Sequence, residues 1–321
     1  MTLKRLLLHC IATICALLPL ANAVAQPYPA RPIKLIVPTS TGTSTDAIAR
    51  FFSEHLASRL GVPVVVENIG GAGGLLAYNA LAKTAPDGYT VLLSGLPQYL
   101  LPLFSDTPAQ FDPVKDFTPI TRVARTPLAY VVRTESPYKN LADLVQAMKD
   151  KPGELTYSSQ GVGSTAALCG SILNQMTNTR ATHVPYKQSS VAVTDVVGGH
   201  VTFSCQGSAG VLPLIQAGKM RALAVTSTTR WDSLPDVPTA AQGGLAGFDI
   251  APGISFIGPA NLPAAIVQRL SDEMVQVGQM AQYKDYLSKS AINHEVLDHR
   301  ALARLVPDEV AFWKRAAGSA R

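Results

Sequence analysis

Residues 33–50 read IKLIVPTSTGTSTDAIAR. Ile33 to Val37 is a short, mostly branched apolar run that predicts a buried strand, and Pro38 ends it. A helical pattern follows from Asp46 to Leu60, with Ile48, Phe52, Leu56 and Leu60 near helical spacing. Small hydroxyl residues and Gly42 fill the join between them. A strand passed to a helix through such a loop is the building unit of a parallel sheet covered by helices. The join itself has two readings. It is a capped turn, or it is a seat for an anion, because free N–H groups and the helix dipole both favour negative charge there.

The alternation continues outward. Val62–Glu67 reads as a strand, Gly73–Lys83 as a helix starting on glycines, and Tyr89–Leu93 as a strand. In the middle of the chain, Leu128–Val132 is a strand candidate, Leu141–Lys149 a helix, and Leu155–Ser158 a strand. SSQGVGST then leads into a helix over Ala166–Met176. Val191–Val197 reads as helical, Val201–Cys205 and Leu223–Thr226 as strands, and two or three helices follow Pro263. Ligands of such sheets sit at the carboxyl ends of the strands, in the loops that enter helices. PTSTGTSTD and SSQGVGST are two such loops with one chemistry, rich in Ser, Thr and Gly. One alone is explained by capping, with Ser44 or Thr45, and Ser164, as N-caps. Two, one in each half, point to a ligand cleft. The candidate contacts are Thr41, Thr43 and Ser44 in the first loop, and Ser158, Ser159, Gly163, Ser164 and Thr165 in the second. Asp46 would repel an anion, so it reads as a dipole partner and loop organiser. The run Gly71–Gly74 is either a third close approach or a tightly packed helix start. Tyr99 is either an aromatic wall or a surface tyrosine, and Trp231 and Trp313 are assigned to packing.

Composition bounds the function. Residues 1–25 combine Lys4 and Arg5, an apolar run from Leu6 to Leu20 and small-x-small patterns ending at Ala25. This is the layout of a cleaved signal peptide, and it predicts a soluble protein exported to the periplasm. Cleavage removes two basic residues and no acid from a formal charge of +5, and no basic cluster remains. Nucleic acid is therefore not an expected partner. The remaining chain exceeds one ordinary core and fits two domains. Cys169 and Cys205 are left after cleavage. They can form one disulfide in an oxidising compartment, but the expectation is two separate buried thiols. The histidines are scattered and no CxxC or HxxxH occurs, so neither a metal site nor a cofactor is expected.

At the level of motifs the chain resembles the extracytoplasmic solute receptors of tripartite tricarboxylate transporters, the Bug family. The resemblance rests on YPARPIKLIVP, the loop ending in Asp46-Ala-Ile-Ala-Arg50, VVVENIGGAGG, KTAPDGYT, DFTPI, PGELTYSSQGVGS, HVPYK, VTDVVGGHV, AGKMRALAVTS and LPDVPT, in that order. It spans essentially the whole chain after residue 25. It implies a type II periplasmic-binding-protein fold of the α/β class: two α/β domains joined by two crossing strands, with a ligand cleft between them. The division expected is 26–124 plus 229–321 for one domain and 125–228 for the other. The resemblance also implies a carboxylate clamp made by the two loops, with Asp195 near the cleft holding water or a polar group of the solute, or else a solvated helix residue. His183 and Tyr186 would shape the wall under the second loop. The implied partners are a small carboxylate and the membrane subunits of the transporter, with the receptor expected as a monomer. Four departures stand out. Thr43 replaces the second glycine of the first loop, Gly70 replaces the proline before GAGG, Gln188 replaces the glycine after HVPYK, and a tryptophan gives way near Gly253. If Gly253 faces the cleft, the lost ring makes room for a bulkier acid, an aromatic dicarboxylate such as terephthalate being one candidate.

Two rival functions are weighed against this. An enzyme needs a motif that is missing: Leu76 stands where G-x-G-x-x-G requires its third glycine, and no G-K-[ST] or G-x-S-x-G occurs, which argues against a secreted hydrolase. A carboxylate sensor that presents solute to a membrane signalling partner would have the same cleft, and the sequence does not separate it from a transport receptor.

Overall fold

The computed structural model describes residues 28–71, 74–94, 109–161 and 164–318. The signal-peptide reading, Gly163 and Tyr99 therefore lie outside the described residues. The first sheet contains β1 (Ile33–Val37), β2 (Val64–Asn68), β3 (Thr90–Ser94), β4 (Phe117–Arg125), β10 (Gly253–Pro259) and β11 (Asn293–Leu297). Its spatial order is β11-β4-β10-β3-β1-β2. β1 runs parallel to β2 and β3, whereas β10 enters antiparallel between β3 and β4. The second sheet contains β5 (Leu128–Arg133), β6 (Thr156–Ser159), β7 (Thr182–Pro185), β8 (Phe203–Gly207) and β9 (Met220–Val225), in the order β7-β6-β8-β5-β9.

Helices cover both sheets. Those of the first half are α1 (Ser44–Leu60) and α2 (Leu75–Ala82). The middle contributes α3 (Leu141–Asp150), α4 (Thr165–Thr177), α5 (Ser189–Val197) and α6 (Ser208–Gln216). The C-terminal part holds α7 (Ala264–Gly278), α8 (Ala281–Lys289) and α9 (His299–Gly318). α1 shows why these residues form these elements. Thr43 caps its N-terminus, and Gly61 ends it with φ of 73° and its N–H bonded to Ala57 O. Its buried face of Ile48, Phe52, Leu56 and Leu60 packs into the first core, where the Phe52 ring lies 5.0 Å from Phe256 and 5.1 Å from Tyr283. Gly74, at φ of 103°, packs its backbone against Pro38 at the start of α2. Trp231 and Trp313 are buried in apolar cores, as the packing assignment expects.

The chain crosses between the sheets twice. It leaves β4 through Thr126 and Pro127 to enter β5, and it returns through 250–252 to enter β10. The crossings are tied to each other. Thr126 N–H donates to Pro252 O at 2.9 Å, and the Thr126 hydroxyl donates to the same carbonyl at 3.2 Å. The return lies later than sequence suggests. Residues from 229 onward were expected with the first domain, yet Ala240, Leu245, Phe248 and Ile250 join the core of the second sheet. Phe248 packs 5.8 Å from the Tyr130 ring, and Ala240 N–H bonds to Val225 O. α9 spans both halves: it packs on β4 and β11 of the first sheet, while Val310 and Trp313 enter the second core.

Two further expectations change. Cys169 on α4 and Cys205 on β8 are joined in a disulfide, rather than being separate thiols. Gly253 does not face the cleft. A Cβ there would overlap the guanidinium of Arg122, whose Nη1 and Nη2 pair with Glu295 at 3.2 Å and Glu309 at 2.8 Å. The missing side chain at Gly253 thus makes room for an internal ion pair, not for a solute.

Candidate functional site

The first loop is locked by carboxylate and amide chemistry. Asp46 is buried, and its Oδ2 accepts from Gly42 N–H at 2.9 Å and Arg50 Nε at 3.1 Å. Its Oδ1 accepts from Asn68 Nδ2 at 3.0 Å, and the same amide donates to Thr39 O. Burial alone would raise the Asp46 pKa, but Arg50, the Gly42 N–H and Asn68 outweigh it and hold the carboxyl below its usual range. Asp46 is thus the loop organiser. Thr43 is the N-cap: its hydroxyl accepts from Asp46 N–H at 3.2 Å and contacts Thr39 Oγ1 at 2.7 Å. Thr41 is exposed and donates to Asn68 Oδ1 at 3.3 Å. Ser44, exposed at the first position of α1, faces the space between the two halves.

The second loop spends its hydroxyls internally. Ser158 is fully buried and donates to Ala192 O at 2.8 Å. Ser159, also buried, contacts His183 Nε2 at 2.6 Å and accepts from Gly161 N–H at 3.1 Å. Burial pulls the His183 imidazole below its ordinary pKa. Ser164 caps α4, accepting from Ala167 N–H and donating to Gly161 O at 2.8 Å. Thr165, half-buried, opens that helix. Asp195 accepts from the Tyr186 hydroxyl at 2.5 Å, which, with burial, pushes that phenol up to about 12. Asp195 does not line the cavity between the halves; it holds Tyr186 against α5.

That cavity measures about 260 Å³. Its floor is Thr126 and Pro127 of the first crossing, and the first half adds Ser44 and Ile292. The second half adds Gln160, Ser189, Gln206 and the segment Gly207–Gly210. Three helix N-termini, those of α1, α5 and α6, therefore open at one place. Gln188 and Gly207, the N-caps of α5 and α6, make no side-chain cap bond, so the first-turn N–H groups remain for a ligand. No ionisable side chain occurs among the described residues of the lining. Ser208 ties the halves together by donating to Ser290 O at 2.8 Å. Of the described residues singled out as ligand contacts in the sequence, only Ser44 lines this cavity. FSCQGSAG, residues 203–210, is a third strand-to-helix join of the same Ser/Gly type, and applying the same rule to it would have found Ser208 and Gly210.

A larger cavity, about 420 Å³, lies at the Arg122 ion pairs. Arg122 is already paired there with Glu295 and Glu309, Arg125 is paired with Asp249 at 2.9 Å, and Asp308 adds another acid. Its surplus of carboxylates repels an acid, so the smaller cavity is the better carboxylate site.

Two α/β units joined by paired crossings, with helix N-termini opening into the cleft, define a type II periplasmic-binding-protein fold. Within that class the chain belongs to the tripartite tricarboxylate transporter family of receptors, whose family model matches residues 48–318. It is 32% identical over 294 residues to Protein BugT of Bordetella pertussis, covering 91% of this chain and 90% of that protein. Among solved structures it superposes on R. palustris Rpa4515 with adipate at TM-score 0.75 and 31% identity, covering 91% and 98% of the two chains. MatC of Rhodopseudomonas palustris with bound malate gives TM-score 0.71 and 27% identity, covering 90% and 100%. Proteins of this family are solute-binding receptors, so this chain is a receptor and not an enzyme.

Proposed function

We propose that the protein is a periplasmic receptor that holds a small carboxylic acid between the start of α1 and the starts of α5 and α6. It then presents the solute, as a monomer, to the membrane subunits of a tripartite transporter. Residues 1–25 serve as the cleaved export signal in this reading, and the unit inserted between the crossings runs from about Leu128 to Ile250. The observation that carries it is the convergence of three helix N-termini on a cavity with no ionisable side chain in its described lining. Such a site receives a carboxylate on backbone N–H groups and needs no arginine. Adipate in Rpa4515 and malate in MatC support an acid of this size. With Gly253 packed on Arg122, the structural ground for terephthalate is gone.

The test is thermal unfolding of refolded, dialysed protein with succinate, adipate, citrate, benzoate and terephthalate, each beside its amide. An acid at about 100 times its dissociation constant stabilises by roughly 2.7 kcal/mol. Stabilisation by one acid and not by its amide is expected. Equal response to acid and amide would overturn the carboxylate reading.

A further inference from the structure

The cavity wall of the second half carries a directed chain of hydrogen bonds that starts at a backbone carbonyl. Ser204 lies 2.8 Å from Ser158 O, and a carbonyl only accepts, so the Ser204 hydrogen is spent there. Gln206 is buried and reaches Ser204 Oγ at 3.0 Å; the atom making that contact must donate, so it is Nε2. The other end of the amide is then Oε1, an acceptor. It takes Gln160 Nε2 at 2.8 Å and the Ser189 hydroxyl at 3.2 Å. Gln160 Nε2 donates its second hydrogen to Ser189 Oγ at 3.0 Å. Both Gln160 amide hydrogens and the Ser189 hydrogen are consumed within the wall. What Gln160 keeps for a solute is its Oε1.

We infer that Gln160 is a specificity-determining residue that presents an acceptor to the solute. The receptor therefore prefers carboxylates that also carry a hydroxyl or ammonium donor. This rests on the carboxylate-receptor reading above. The N–H groups of the helix starts take the carboxylate, and Gln160 takes the donor. A bare acid leaves that oxygen facing solute atoms that give it no hydrogen. A second carboxylate aimed at it is repelled. Nothing in the chain from Ser158 to Gln160 spans the two halves, so the preference is built in before the cleft closes.

The experiment is calorimetry on matched pairs: succinate against malate and aspartate, glutarate against 2-hydroxyglutarate, and propanoate against lactate. Wild type is compared with Gln160→Leu and Ser204→Ala, each checked for an unchanged circular dichroism spectrum. One hydrogen bond gained predicts about tenfold tighter binding of the donor-bearing partner in at least one pair. In Gln160→Leu that ratio falls toward one, whatever absolute affinity remains. In Ser204→Ala the pin on the Gln206 amide is lost and the ratio shrinks. If acids bind but the donor gives no advantage, or if the advantage survives Gln160→Leu, this inference is overturned while the receptor reading stands. If no acid of any pair binds, both fall together.

Discussion

Asp46 is where local chemistry decides the shape of the cleft edge. Three donors meet one buried carboxylate, and two of them, Gly42 N–H and Asn68 Nδ2, come from outside its helix. An amide cannot accept all three: Asp46→Asn sets an NH₂ against at least one donor. The variant is expected to lose about 1–3 kcal/mol at pH 7, read by urea unfolding. The sign with pH follows from the lowered folded-state pKa. The contribution of Asp46 is complete above its unfolded value of 3.8 and is lost as pH falls through the folded one. The gap between wild type and variant should therefore close in acid; a gap unchanged at pH 2 would show that the charge does not matter. Gly253, by contrast, owes its role to a residue distant in sequence. Its partner, Arg122, lies on a neighbouring strand and becomes visible only when the β4–β10 register is known.

At the scale of elements, the disulfide joins α4 to β8 and closes a separation of 36 residues. Replacing both Cys169 and Cys205 by alanine is expected to cost about 2–4 kcal/mol, measured by urea unfolding under non-reducing conditions. An unchanged midpoint would show that the surrounding core already fixes the pair. Much at this scale was legible. β1, α1, β5 and α3 lie within a few residues of where periodicity puts them, because their buried faces repeat locally. The hydroxyls of both loops were legible as helix starts but not as to their use. Thr43 and Ser164 bond the N–H groups nearest to them, so proximity commits them to capping before any solute arrives. The sequence pattern gives no helix at α6, since Gly207, Gly210 and Pro213 weaken its local signal. With α6 went Ser208, Ala209 and Gly210 of the cavity lining. The disulfide was illegible for another reason: a sequence states no distance between α4 and β8.

For the whole molecule, the absence of ionisable side chains from the described lining sets the response to conditions. Binding of a carboxylate should change less than about threefold between roughly pH 6.5 and 9, and weaken only near the pKa of the acid itself, about 4 to 5. Buried His183 titrates below this window, because its pKa is lowered from 6.5. Calorimetry at constant ionic strength checks this, and a tenfold change inside the window would reveal a titrating group in contact with the solute. The hinge is constrained as well. Arg122 on the first sheet grips Glu309 on α9, four residues before Trp313 enters the second core, so rotation of one half on the other strains that helix.

The paired crossings have a last consequence, in time rather than in space. β10 is the strand that sits between β3 and β4, yet the whole of the second unit lies between β4 and β10 along the chain. A polypeptide that emerges from the ribosome or a translocation pore with its N-terminus leading has β1 to β4 in hand first. It cannot complete their sheet until the inserted unit has come out and β10 arrives. The inserted unit holds all five strands of its own sheet and both members of the Cys169–Cys205 pair, so that sheet can form before β10 arrives, and Val310 and Trp313 of α9 close its core last. The sheet that is begun first is the sheet that is completed last.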